Sequence, residues 1–206
     1  MKKKLLYDFQ SGGPKSKKAI VAIHGWQGNR HSMRPLIKSM NINNLDWYLL
    51  EAPYPILGSD GGFSWSYEKS KGDWEENEPR LLLTEFFNEI FKKYISKNIY
   101  ILGFSQGGLI CFDFTLLLNQ PLGGVFPIAG FTRHPNATIP RYHPCQKNTP
   151  IIISHGKNDD TVPISASENI YRKLKEQGAN VELFLYKGKH KIGIECLKKI
   201  KIIVQS

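Results

Sequence analysis

Gly103-Phe104-Ser105-Gln106-Gly107-Gly108 leaves the chain few ways to run. The apolar stretch before it, residues 99–102, reads as a buried strand, and residues 109–118 read as an apolar helix. A chain that passes from strand to helix this quickly must turn sharply at the serine. The residues two before and two after the serine then press on a neighbouring strand or helix, where any Cβ would collide. Gly103 and Gly107 meet that demand. The turn drives the Ser105 hydroxyl out of the sheet edge, where it can attack a carbonyl. A flexible strand–helix connection is the plainer alternative for so short a motif, and the strand and helix on either side argue against it.

Strand-like and helix-like segments alternate along the rest of the chain. That alternation predicts an α/β protein with a mainly parallel central sheet and helices on both faces. Strands are expected at 5–9 (an edge), 19–23, 47–51, 98–102, 124–128, 150–154 and 181–186. Helices are expected at 32–40, 78–95, 107–118, 165–177 and 192–204. Ser32 is expected to cap the first helix ahead of Pro35, and Gly178 to end the fourth. Residues 58–73 read as a long Gly/Ser/aromatic loop. With no repeat, low-complexity stretch or linker, residues 1–206 are expected to form a single domain.

No run approaches the ~18 apolar residues of a membrane helix. The basic start Met1-Lys2-Lys3-Lys4 leads into only two leucines, so it reads as the lead-in to a first strand rather than a secretory signal. Cys111, Cys145 and Cys196 are scattered and lack metal-ligand spacing. They fit reduced thiols in a cytoplasmic protein, with Cys111 and Cys196 as packing residues. Lys and Arg outnumber Asp and Glu by 28 to 18, a net charge of +10. The lysines are spread out, and no nucleic-acid-binding signature interleaves them, so no nucleic-acid partner is expected. The surplus is expected to be mostly solvated surface, with room for a weak preference for anionic substrates or anionic lipid surfaces.

A serine hydroxyl needs a base to take its proton and an acid to orient that base. With the serine on such an elbow, the acid and then the histidine follow it in the chain. His190 is the base candidate, because no other histidine lies after Asp159. The acid candidate lies in His155-Gly156-Lys157-Asn158-Asp159-Asp160-Thr161-Val162-Pro163, just past an apolar strand. Asp159 is preferred, with Asp160 in reserve, and an Asx turn or helix cap is assigned to whichever is not catalytic. An oxyanion hole needs two backbone N–H donors. Gln106, next after the serine, supplies one. The other is expected from His24-Gly25-Trp26-Gln27-Gly28, with Trp26 preferred and Gln27 the alternative. His24 is expected to brace that loop, and a metal role with His31 is disfavoured.

These residues resemble the phospholipase/carboxylesterase family of the α/β-hydrolase superfamily, which includes bacterial carboxylesterases and acyl-protein thioesterases. The likeness rests on His24-Gly25 and its loop, Gly103–Gly108, the H-G-x-x-D-x-x-V-P run at 155–163, and Tyr186-x-Gly188-x-His190. It implies an α/β-hydrolase fold, with Ser105 as nucleophile, His190 as base, Asp159 as acid, and the Trp26 and Gln106 N–H groups as the oxyanion hole. It implies hydrolysis of carboxylic esters of short to medium acyl chains through an acyl-enzyme, with thioesters or lysophospholipids as the alternative. The substrate is a small-molecule ester, and no metal or organic cofactor is needed.

Two departures from the family pattern bear on specificity. Trp26 stands where leucine is more usual, and could narrow the acyl pocket or form a stacking wall. Residues 58–73 are similar to the Gly-Gly-x-x-Trp stretch of some bacterial members. Phe63, Trp65 and Tyr67 are expected to line the pocket, together with Gln27 and Val162. With no large cap domain, an open pocket and broad acyl specificity are expected. A non-catalytic small-molecule binder on the same fold is the rival from another class.

Overall fold

The computed structural model describes residues 3–133 and 141–206. In chain order the elements are β1 (Tyr7–Gln10), β2 (Lys18–Ile23), α1 (Pro35–Met40), β3 (Leu45–Leu50), β4 (Tyr54–Pro55), β5 (Phe63–Ser64), β6 (Glu68–Ser70) and β7 (Asp73–Trp74). They continue with α2 (Asn77–Lys93), β8 (Ile99–Phe104), α3 (Gln106–Asp113), β9 (Gly124–Ile128), β10 (Ile151–Gly156), α4 (Ile164–Glu176), β11 (Val181–Tyr186) and α5 (Ile194–Gln205).

Seven strands form one sheet in the order β1-β3-β2-β8-β9-β10-β11. Only β1 runs antiparallel, pairing Tyr7 with Leu50 and Gln10 with Trp47 at the edge. The other neighbours are parallel. Parallel strands covered on both faces carry continuous apolar runs, as β2 and β8 do. Alternate residues face opposite sides. Val21, Ile23 and Ile101 pack with Leu83 and Phe87 of α2, Cys111 of α3 and Leu174 of α4. Ile20, Ala22 and Leu102 pack with Leu36 and Met40 of α1 and Cys196 and Ile200 of α5. Cys111 and Cys196 are therefore core residues, and burial pushes the Cys196 thiol up to about 12. This is an α/β-hydrolase fold. The C-terminal ends of β2, β8, β10 and β11 share one edge of the sheet, and the loops leaving that edge carry the candidate site.

Three local expectations are corrected. Residues 30–33 form a 3-10 turn capped by Asn29, whose side chain accepts from the His31 and Ser32 N–H groups. Ser32 answers by accepting from Asn29 N–H, so it closes the capping box rather than capping α1. The helix expected over 107–118 stops at Asp113, and a 3-10 turn at Thr115–Leu117 follows. Residues 58–73 are not one featureless loop. They contribute to two small ribbons, β4 with β5 and β6 with β7.

Candidate active site

Ser105 sits between β8 and α3 at φ 54° and ψ −112°, a backbone conformation that costs strain and marks sites held by their surroundings. Its N–H donates to Ile128 O at 2.8 Å, which ties the turn to β9. A Cβ on Gly103 would strike the Gly107 carbonyl, and one on Gly107 would strike the Ile23 carbonyl. Both glycines are thus required by steric contact at the elbow, as their spacing implies.

The structure brings Ser105, His190 and Asp159 together. His190 lies in the loop after β11, and its Nε2 is 3.0 Å from Ser105 Oγ. Its Nδ1 is 2.8 Å from Asp159 Oδ2. A carboxylate accepts only, so Nδ1 carries the proton and Nε2 presents its lone pair to the serine hydroxyl. The ring also rests against Phe104, with centroids 4.9 Å apart.

Asp159, and not Asp160, reaches the histidine. Its Oδ1 accepts from the N–H groups of Thr161 and Val162, each at 2.9 Å, so the Asx turn assigned to the spare aspartate is made by Asp159 with its other oxygen. Burial pushes the Asp159 carboxyl up, but the hydrogen bond from His190 and those from Val162 and Thr161 outweigh it and hold it below the ordinary carboxylate value. Asp160 is exposed and pairs with Lys189 at 3.1 Å. The fully buried His155 stands 3.2 Å from Asp159 Oδ2. Its Nδ1 meets Ser167 Oγ at 2.7 Å and its Nε2 meets Val162 O at 2.9 Å, which places the Nε2 proton on the Val162 and Asp159 side.

The loop after β2 packs directly under the serine: a Cβ on Gly25 would lie 3.1 Å from Ser105 Cβ. Gln27, at φ 63°, donates its N–H to Phe63 O at 3.1 Å. That removes Gln27 as a free donor. The N–H groups of Trp26 and Gln106 have no acceptor among the described residues. The Trp26 side chain is largely exposed. His24 braces the loop, accepting from Ala52 N–H at Nε2 (3.0 Å) and donating from Nδ1 to Gly25 O (2.6 Å). Burial holds its pKa down to about 4, so the ring is neutral.

Trp65, expected as a pocket wall, is buried instead. Its indole N–H donates to His24 O at 3.0 Å and its backbone N–H to Gln106 Oε1 at 3.0 Å, so it is a strut behind the loop. It also borders a small cavity of about 20 Å³ with Leu109, Ile110 and Arg133. Phe63 is half-buried and paired to Gly28 through a β-bridge. Val162 is buried, with both backbone groups engaged at Asp159 and His155. Tyr67 is exposed and packs edge-on against Tyr54. Among the described residues, no three His, Cys, Asp or Glu side chains gather to hold a metal ion. Sequence reasoning missed Ser64, Ser66 and Arg133, which join Gln106 in a buried polar cluster. Single serines and one arginine, far apart in sequence, give no motif.

The sequence profile of the phospholipase/carboxylesterase family matches residues 8–205. The chain belongs to that family. Among relatives, it is 27% identical over 198 residues to carboxylesterase SOBER1 of Arabidopsis thaliana, covering 88% of this chain and 87% of that protein. It is 28% identical over 164 residues to acyl-protein thioesterase 1 homolog 1 of Dictyostelium discoideum, covering 74% and 72%. The crystal structure of esterase PE8 superposes with a TM-score of 0.84 at 20% identity, covering 98% of both chains, a likeness of fold. This family member has no helix among its described residues long and apolar enough to cross a membrane.

Proposed function

We propose that this chain is a serine carboxylic-ester hydrolase working through an acyl-enzyme on short to medium acyl esters, with residues 1–206 acting as one domain. The observation that carries the proposal is the relay Ser105 Oγ–His190 Nε2–His190 Nδ1–Asp159 Oδ2, at 3.0 and 2.8 Å. In the first half-reaction, His190 takes the Ser105 proton as Oγ attacks the ester carbonyl. The unpartnered N–H groups of Trp26 and Gln106 are suited to receive the oxyanion. The imidazolium, stabilised by Asp159, then protonates the leaving alcohol. Water repeats the sequence on the acyl-enzyme and releases the acid.

The same steps serve thioesters, and the resemblance to a protein named acyl-protein thioesterase supports testing them beside esters. Lysophospholipids belong in the same panel. The three free cysteines fit a cytoplasmic setting, and the net charge of +10 fits weak association with anionic lipid surfaces. The test is p-nitrophenyl ester hydrolysis by Ser105→Ala. Loss of the nucleophile is expected to lower kcat by about 10⁶, to the detection limit, with the thermal unfolding midpoint kept. Full turnover by Ser105→Ala would refute the proposal, whereas a wild-type protein that binds esters without hydrolysing them would leave the non-catalytic binder as the better account.

A further inference from the structure

We propose that Arg133 is a positioning residue for the oxyanion hole, acting through Ser66 on the side chain of Gln106; this rests on the hydrolase function proposed above. Gln106 must hold its N–H toward the reacting carbonyl, and its own side chain anchors it. Oε1 accepts from Trp65 N–H at 3.0 Å, while Nε2 donates to Ser64 Oγ at 3.0 Å and Ser66 Oγ at 3.1 Å. The Ser64 hydroxyl donates a hydrogen bond to Ser66 O at 2.5 Å. Every polar atom of the Gln106 amide is therefore fixed by the three residues 64–66, all of them buried.

The same strap, through Trp65 and the adjoining Phe63, holds the second donor loop. The Trp65 indole bonds His24 O, two residues before Trp26, and neighbouring Phe63 is bridged to Gly28. One short strap thus sets the spacing between the two N–H groups that would receive the oxyanion. Its position is in turn fixed from the far side by Arg133, in the loop after β9. One terminal guanidinium nitrogen donates to Ser66 Oγ at 2.5 Å, Nε lies 2.6 Å from Glu76 Oε1, and the guanidinium stacks 4.6 Å above the Trp74 ring. Arg133 thereby holds both ends of the segment 66–76, Ser66 through a hydrogen bond and Glu76 through an ion pair in which Nε makes no hydrogen bond. Ser66 Oγ accepts from Arg133 and from Gln106 together, so the clamp reaches the amide through one oxygen. A charge-assisted bond of this kind is the strongest link in the chain of contacts.

A bracing role limited to stability predicts a less stable enzyme with ordinary turnover. A positioning role predicts something else, because a displaced oxyanion donor hurts the transition state more than substrate binding. Arg133→Met is expected to lower kcat about ten- to a hundredfold with KM within about threefold. It should weaken binding of a trifluoromethyl ketone, which forms a tetrahedral oxyanion adduct, by the same factor. The pH–rate midpoint should stay put, since His190 and Asp159 are untouched. Arg133→Lys, which keeps the charge but cannot span both partners, should fall between. Ser66→Ala should reproduce the loss, and the double variant should be no worse than either single one. Asp8→Asn, which breaks ion pairs with Arg30 and Arg34 at the sheet edge, serves as a control for lost stability with kcat retained.

Unchanged kcat in folded Arg133→Met overturns the proposal. A raised KM at constant kcat also overturns it, by making Arg133 a substrate contact. If Arg133→Met does not fold, Arg133→Lys and Ser66→Ala decide on the same readouts. Retained turnover in Ser105→Ala would instead remove the serine acyl-enzyme reading on which this proposal rests, so the two failures are distinguishable.

Discussion

Asp159→Asn tests the relay at its most buried point. In the folded protein Oδ1 is committed to the Thr161 and Val162 N–H groups, so the new amide nitrogen must occupy the Oδ2 position, facing His190 Nδ1 at 2.8 Å and His155 Nε2 at 3.2 Å. An amide nitrogen donates, so His190 is driven to the tautomer with its proton on Nε2. That tautomer points a proton at Ser105 and cannot accept one. The substitution also removes the negative charge beside the imidazolium that forms during reaction. At an effective dielectric of about 20, a pair of charges some 4 Å apart is worth about 4 kcal/mol, or roughly three decades in rate. The inverted tautomer adds to this, and a fall in kcat of about 10³ to 10⁴ is expected. Asp160→Asn, which loses only the exposed contact with Lys189, should change kcat less than about twofold. The assay is initial-rate hydrolysis of p-nitrophenyl butyrate, with circular dichroism to verify folding. Turnover within tenfold of wild type in Asp159→Asn, or an equal loss in Asp160→Asn, would refute the assignment.

Further outcomes follow from the surroundings of the site. Gly103→Ala, whose Cβ would meet the Gly107 carbonyl backbone, should destabilise by about 3 kcal/mol or more, read as a lowered urea midpoint; a near-neutral result would mean the elbow can widen. His24, held neutral with a pKa near 4 against an unfolded value of 6.5, binds its proton only in the unfolded chain between those values. Stability is therefore expected to fall as pH drops from about 6.5 to 4, by about 3 kcal/mol from this group. Urea midpoints at pH 7 and pH 4.5 should differ less in His24→Gln than in wild type, and an equal difference would exclude His24 as the source.

The parallel sheet was legible because β2, β8, β9 and β10 carry apolar runs bounded by turn residues, and burial on both faces demands such runs. The end of α3 was not legible, since Asp113 and Thr115 are the only polar residues in 109–118 and the apolar residues resume after the break. The stop at Asp113 follows from the 3-10 turn, where the Thr115 hydroxyl bonds Cys111 O at 2.8 Å. Ser105 and His190 could be read from glycine spacing and chain order. Asp159 could be read from its motif, but not its second task as the Asx turn, because an aspartate has two oxygens and the sequence shows one residue. Trp65 was misplaced for a similar reason: an aromatic ring can face solvent or brace a loop. The choice rests on a carbonyl at His24, 41 residues away in sequence. The ribbons within 54–74 likewise depend on long-range bonds such as Gln27 N–H to Phe63 O, which no local pattern announces.

The most direct measurement is rapid-quench mass spectrometry with an activated acetate ester. The relay and the free N–H pair predict a burst of alcohol release, with one acetyl group per chain mapped to the peptide containing Ser105 and absent from the His190→Gln protein. Acetyl carried on any other residue, or steady ester turnover without a trapped acyl group at any quench time or acidity, would contradict the serine acyl-enzyme on which the rest depends.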